Sequence, residues 1–211
     1  MLRLLLLAMV SFSLTFVAAP AVVQAGDKKD SKFGIGSPAP NFSNLPNATE
    51  PGKTMSLSDL KDREILVICI TCNHCPVAVM YEDRLIEFAK KYNVTDPKSK
   101  VGFVAINVNN LEQDKLPKMV ERAKEKGFNF PYLYDETQAI GRALKATVTP
   151  EFYVFDKNRK LIYRGAMDDN NRAAEAKTNY LVAAVEAGLK GTAPATAETK
   201  ARGCSVKYEN K

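Results

Sequence analysis

Four cysteines and a single histidine stand out in this 211-residue chain, and three of those five residues fall in one window, Cys72-Asn73-His74-Cys75-Pro76. Two thiols at this spacing can close a small ring when the second lies one turn further along a helix. Cys72, read as lying in the first turn of that helix, would face unpaired backbone N–H groups and the positive end of the helix dipole, which favour thiolate over thiol. A thiolate is the attacking species in disulfide exchange, so Cys72 is the expected nucleophile and Cys75 the resolving thiol. His74, as an imidazolium between them, would tune the thiolate, and stabilising the reduced form makes the disulfide more oxidising. The bland use of the same residues is a static disulfide or two buried thiols. Cys69 sits in an apolar run and is expected to act as a small core hydrophobe. Cys204 is either an accessory redox thiol or an exposed thiol that only dimerises the protein.

The elements that must position this pair are legible around it. Ile65-Leu66-Val67-Ile68-Cys69-Ile70 is apolar without alternation, as in a strand covered on both faces. After Pro76, Val77, Tyr81, Leu85, Phe88 and Tyr92 recur every three or four residues, the period of an amphipathic helix. Val101 to Val108 reads as a second buried strand, followed by a helix bracketed by Asp114, Pro117 and Gly127. A short strand over Phe130 to Tyr134 and a short helix over Thr137 to Leu144 come next. Phe152 to Phe155 and Leu161 to Arg164 flank Asp156-Lys157-Asn158-Arg159 as a hairpin, and a last helix runs through Tyr180, Val185 and Leu189. Strands alternating with helices imply an α/β fold with helices on both faces of a mostly parallel sheet, which the hairpin makes mixed. The Ala/Thr/Pro composition of 191–211 suggests a flexible C-terminal tail carrying Cys204.

Composition narrows the chemistry. With one His there is no multi-histidine metal site, and four Cys are too few for a disulfide scaffold. The net charge of +6 comes from interspersed Lys and Asp/Glu with no aromatic-studded basic stripe, which argues against a nucleic-acid partner. Residues 1–25 carry Arg3, an uncharged apolar run and Val23-Gln24-Ala25, the pattern of a cleaved signal peptide, with an uncleaved membrane anchor as the alternative. The protein is therefore expected to be exported, periplasmic or secreted, in a compartment where disulfides persist and with no membrane association after cleavage.

Cys72-Asn73-His74-Cys75-Pro76 after a buried strand, together with Val148-Thr149-Pro150-Glu151-Phe152, resembles the thioredoxin superfamily. The stretch from Ile35 to Phe42, then Ser56 to Lys61, is similar to the lead-in of exported peroxiredoxin-like and cytochrome-maturation-type members. The resemblance implies a thioredoxin-like domain over 26–190, with an N-terminal extension and an extra strand–helix insertion. It also implies a cis Pro150 against the active-site pair and a Thr149 backbone that pairs with the substrate chain. His74 before the second Cys resembles the oxidising and isomerising branches. Some family residues are absent: the Trp before the first Cys is Thr71, the buried Asp is Leu66, and the branch-specific Glu is Ala78. Glu151 is the remaining candidate for a carboxylate assisting Cys75, or is simply an exposed residue starting a strand. The implied activity is thiol–disulfide exchange with protein substrates and a redox partner protein, without cofactor or metal. A thiol peroxidase is the alternative, but its Pro and Thr/Ser would fall at Ile65 and Cys69, or Ile68 and Cys72. A metal-binding or non-catalytic thioredoxin-fold protein is the other: Cys69, Cys72, Cys75 and Pro76 imitate part of an iron–sulfur spacing.

Overall fold

A computed structural model describes residues 33–210; the expected signal peptide lies outside them. In chain order the elements are β1 (Leu45–Pro46), β2 (Thr54–Met55), β3 (Ile65–Thr71), α1 (Pro76–Tyr92), β4 (Val101–Asn107), α2 (Leu116–Lys126), β5 (Tyr132–Tyr134), α3 (Ala139–Ala143), β6 (Val148–Thr149), β7 (Glu151–Phe155), β8 (Leu161–Gly165), α4 (Tyr180–Leu189) and β9 (Cys204–Ser205). The central sheet has the order β5-β4-β3-β7-β8. β3 is parallel to β4 and antiparallel to β7, and β7 and β8 form the expected hairpin. The extra strand–helix unit is β5 and α3, with β5 at one sheet edge.

The unbroken apolar runs are explained by two cores. Ile65, Val67 and Cys69 of β3 pack with Tyr81, Leu85 and Phe88 of α1, Met119 of α2 and Val185 of α4. Leu66, Ile68 and Ile70 point the other way, to Ile140 of α3, Phe42 and Leu60 of the N-terminal extension, and Val206 near the C-terminus. A pleated strand sends alternate residues to opposite faces, so a strand covered twice needs apolar residues throughout. No helix among the described residues is long and apolar enough to cross a membrane.

The segment 191–210 differs from the flexible tail expected. The Thr199 N–H donates to the Arg164 carbonyl at 3.0 Å and the Arg164 N–H to the Ala197 carbonyl at 3.0 Å, which lays the chain along β8. It then crosses to β6, where Thr149 pairs with Cys204 and Val148 with Ser205. Val206 is buried, and the Tyr208 hydroxyl donates to the Ala146 carbonyl at 2.9 Å under the guanidinium of Arg142. Strand edges supply unpaired backbone groups, and Val206 and Tyr208 pack into the core beside them, so a segment whose composition has no period is still seated.

Candidate active site

The β3–α1 junction is built differently from the sequence expectation in one respect. α1 starts at Pro76, and Cys75, in extended backbone conformation, is its N-cap. Proline is favoured at the first helical position because its missing N–H would have no partner there. Cys72 therefore lies before the helix, and Cys75 meets the helix N-terminus: its Sγ accepts the Ala78 N–H at 3.5 Å.

The Thr149–Pro150 peptide is cis, as the family resemblance implied, and Thr149 lies over both thiols. Its Oγ1 is 3.1 Å from Cys72 Sγ, and its carbonyl is 3.2 Å from Cys75 Sγ. Cys72, Cys75 and Ala78 form one buried cluster, with Val77 and Cys204 packed against it. The Cys204 N–H donates to Cys75 Sγ at 3.3 Å. All three cysteines of this cluster are free thiols, and each biases the protonation of its neighbour.

These bonds divide the charge. Cys75 is held well below the usual thiol range, first by the Cys72 thiol, then, against the cost of burial, by the Cys204 thiol and the amides of Ala78 and Cys204. Cys72 is pushed up by Cys75 in turn, by burial and by the charge of Asp114, with the Thr149 hydroxyl opposing. Cys75 meets the amides of Ala78 and Cys204 against one carbonyl, that of Thr149, which favours its thiolate over that of Cys72. Burial alone pushes the Cys69 thiol up, consistent with a core residue.

His74 points away from the role of a bare cation beside the thiolate. Its Nδ1 is 2.5 Å from Oδ2 of Asp114, and its Nε2 is buried without a partner. Asp114 is fully buried, and its Oδ1 accepts the N–H groups of Asn73 at 2.8 Å and His74 at 3.2 Å. The Asn73 side chain is held in turn by the Tyr132 hydroxyl at 2.9 Å and the Gln113 carbonyl at 2.8 Å. Asp114 is the site carboxylate that sequence reading missed; there it served only to mark the start of a helix. The signal available was an acidic residue in the loop after β4, beside the β3–α1 turn in any parallel βαβ unit. Glu151, the sequence candidate, instead accepts the Thr147 N–H at 2.9 Å.

Ligand atoms of Cys72, His74 and Asp114 lie within 4.8 Å of one another, the donor set available to a cation. Both Asp114 oxygens are already engaged with Asn73 and His74, and Cys72 with Thr149, which favours a positioning network over a ligand set.

Residues 35–182 match the family model described as Redoxin. The chain belongs to the Redoxin family. Among solved structures, an uncharacterized conserved protein from Geobacillus kaustophilus is 36% identical, with 86% of this chain and 95% of that one covered and a TM-score of 0.76. A hypothetical protein from Sinorhizobium meliloti is 31% identical, with coverage of 85% and 97% and a TM-score of 0.76. Peroxidoxin BcpB from Mycobacterium tuberculosis shares the fold at 19% identity and a TM-score of 0.53, with coverage of 67% and 91%. No curated protein matches the chain. This redoxin is thus a thioredoxin-superfamily redox protein with a mixed α/β sheet.

Proposed function

We propose that the protein is an exported thiol–disulfide oxidoreductase in which Cys72 and Cys75 cycle between dithiol and disulfide against protein substrates. The observation that carries this reading is the pair itself: two free thiols at a helix N-terminus, beneath Thr149 and the cis Pro150, which in this reading share one proton. A pair that holds one negative charge at low cost is prepared for exchange, because the thiolate is the reacting form.

The geometry supports a division of labour. Cys75 is fully buried and is pinned by the Ala78 amide, so its place is to close the ring. Cys72 lies outside the helix and is the thiol that an incoming substrate sulfur would meet. Its thiolate character grows when Cys75 loses the amide and thiol of Cys204, because the shared proton then moves toward Cys75. Asp114 and His74 act as positioning residues: they fix the turn between the cysteines, and the imidazole stands against a carboxylate whose charge otherwise opposes a Cys72 thiolate. Export is supported by the apolar run and Val23-Gln24-Ala25 of the first 25 residues.

The test is titration of the reduced protein with glutathione redox buffers, read by mass mapping of Cys72 and Cys75. A reversible two-electron ring closure lost in Cys72→Ser and Cys75→Ser is expected. A pair that stays reduced across the biological range would sink the reading.

A further inference from the structure

An extended chain that brings a sulfur to the Cys72–Cys75 pair needs a strand edge beside the thiols as a rail to lie on. β6 is that rail, since Thr149 contacts both thiols. Among the described residues β6 pairs only with β9. β9 holds the rail in register, with Cys204 opposite Thr149. Strand addition of this kind gives affinity through the backbone and specificity through the side chains.

The fit around Cys204 is close. A Cβ on Gly203 would lie 1.9 Å from the Thr149 carbonyl oxygen, so only glycine lets the strand approach this near. Beyond the cysteine, Val206 is buried and its N–H donates to the Thr147 carbonyl at 3.0 Å. The Lys207 N–H donates to Asn109 Oδ1 at 2.7 Å, and Gln138 clasps the Lys207 carbonyl at 2.9 Å and the Glu209 N–H at 2.8 Å. The segment from Gly203 to Glu209 is therefore seated residue by residue, and the sulfur it presents lies against Cys75.

We infer that β9 occupies the place of a substrate strand, and that Cys204, unlike a substrate sulfur, exchanges with the Cys72–Cys75 disulfide by attacking Cys75 Sγ, so that the oxidised protein distributes between a Cys72–Cys75 ring and a Cys75–Cys204 clasp. The inference rests on the oxidoreductase reading above. In the step, the Cys204 thiol gives its proton to solvent and its thiolate forms the Cys75–Cys204 bond. The Cys72–Cys75 bond breaks, its electron pair leaves with Cys72 as thiolate, and a proton from solvent balances the exchange. No external oxidant is consumed. The clasped form holds the rail closed and frees Cys72; the ring form allows β9 to leave and a substrate strand to replace it.

The experiment equilibrates wild type, Cys72→Ser, Cys75→Ser and Cys204→Ser with oxidised and reduced glutathione at low protein concentration, followed by non-reducing mass mapping. Cys72→Ser should form an intramolecular Cys75–Cys204 disulfide at an effective concentration about tenfold or more above that of Cys72–Cys204 in Cys75→Ser. Adding Gly203→Val to Cys72→Ser should lower the clasp yield by about tenfold or more, because the strand can no longer seat. The inference is overturned if Cys72→Ser keeps both thiols free in buffers that close the ring of Cys204→Ser. It is also overturned if the crosslink joins separate chains, or if Gly203→Val leaves the clasp yield unchanged. Failure of Cys204→Ser to close its ring overturns the oxidoreductase reading and the exchange with it, whereas a ring without a clasp overturns the clasp alone.

Discussion

Asp114 Oδ2 lies 2.5 Å from His74 Nδ1, while Oδ1 of the same carboxylate takes the backbone N–H groups of Asn73 and His74. One buried side chain thus sets both the path of the turn between the two cysteines and the orientation of its imidazole. It also places a negative charge near Cys72, where that charge works against the thiolate.

Asp114→Asn separates these effects. The amide keeps one acceptor oxygen for the turn but removes the charge. Alkylation of Cys72 by iodoacetamide in the reduced protein should become faster at neutral pH, by about tenfold per unit that the thiol falls. The pH profile of the rate should move to the acid side. Loss of the carboxylate hydrogen bonds should cost about 1–3 kcal/mol of stability in urea unfolding. A slower, unshifted profile would show that the carboxylate activates Cys72 instead of restraining it.

Thr149→Val removes the hydroxyl 3.1 Å from Cys72 Sγ with little change in shape. That hydroxyl lowers the Cys72 pKa, so its loss should slow Cys72 alkylation by about two- to thirteenfold, the worth of one hydrogen bond of about 0.5–1.5 kcal/mol. Rate measurements at fixed pH on Cys75→Ser and on the Cys75→Ser, Thr149→Val double variant isolate the effect from the shared proton.

Stability of the reduced protein should peak near the ordinary thiol pKa. Cys75 titrates below its unfolded value, so between that folded value, about 4, and the ordinary 9 the folded state binds fewer protons than the unfolded chain and stability rises with pH. Cys72 titrates above its unfolded value, so beyond the thiol range the unfolded chain loses a proton that the fold retains, and stability falls. Urea midpoints from pH 5 to 10, compared with the Cys72→Ser, Cys75→Ser double variant, should show the peak only in the parent. A monotonic difference would rule out a shared proton.

Arg84→Met tests the scaffold behind the site. Arg84 Nη1 meets Asp168 Oδ2 at 2.5 Å, and the Tyr81 hydroxyl of α1 donates to Asp168 Oδ1 at 2.9 Å. Arg84 also donates to the Asn170 carbonyl at 3.0 Å and the Asn171 carbonyl at 2.5 Å. Removing the cation leaves Asp168 buried and uncompensated, which should cost about 3–5 kcal/mol in urea unfolding. A loss below about 1 kcal/mol would mean that Tyr81 and solvent satisfy the carboxylate unaided.

What the sequence disclosed follows from how local each cause is. The apolar run at Ile65–Ile70, the helical period after Pro76 and the Asp156–Arg159 turn are nearest-neighbour patterns, and β3, α1 and the β7–β8 hairpin formed where those patterns stand. Cys72, His74 and Cys75 were visible because one window holds them. Asp114 was not, because its meaning depends on a crossover that returns the chain beside Asn73. Nor was the seating of 203–209, since Val206 and Tyr208 have no periodic company and pack with Ile140 of α3 and with Leu144 and Ala146 just after it. The sequence also put Cys72 in the helix, where Pro76 at the first helical position assigns the cap to Cys75 instead.

The pleat of β3 sorts sulfur by isolation as well as by packing. Cys69 and the exchanging pair are neighbours along the chain, yet Cys69 turns into the core with Phe88 and Phe152 and is sealed from solvent. Cys204, 129 residues from Cys75, lies within reach of it. Kinship among the thiols is therefore decided by the sheet and not by the ribosome's order. A strand slipped by one residue would turn Cys69 to the opposite face, so strand register is itself a safeguard against wrong pairing.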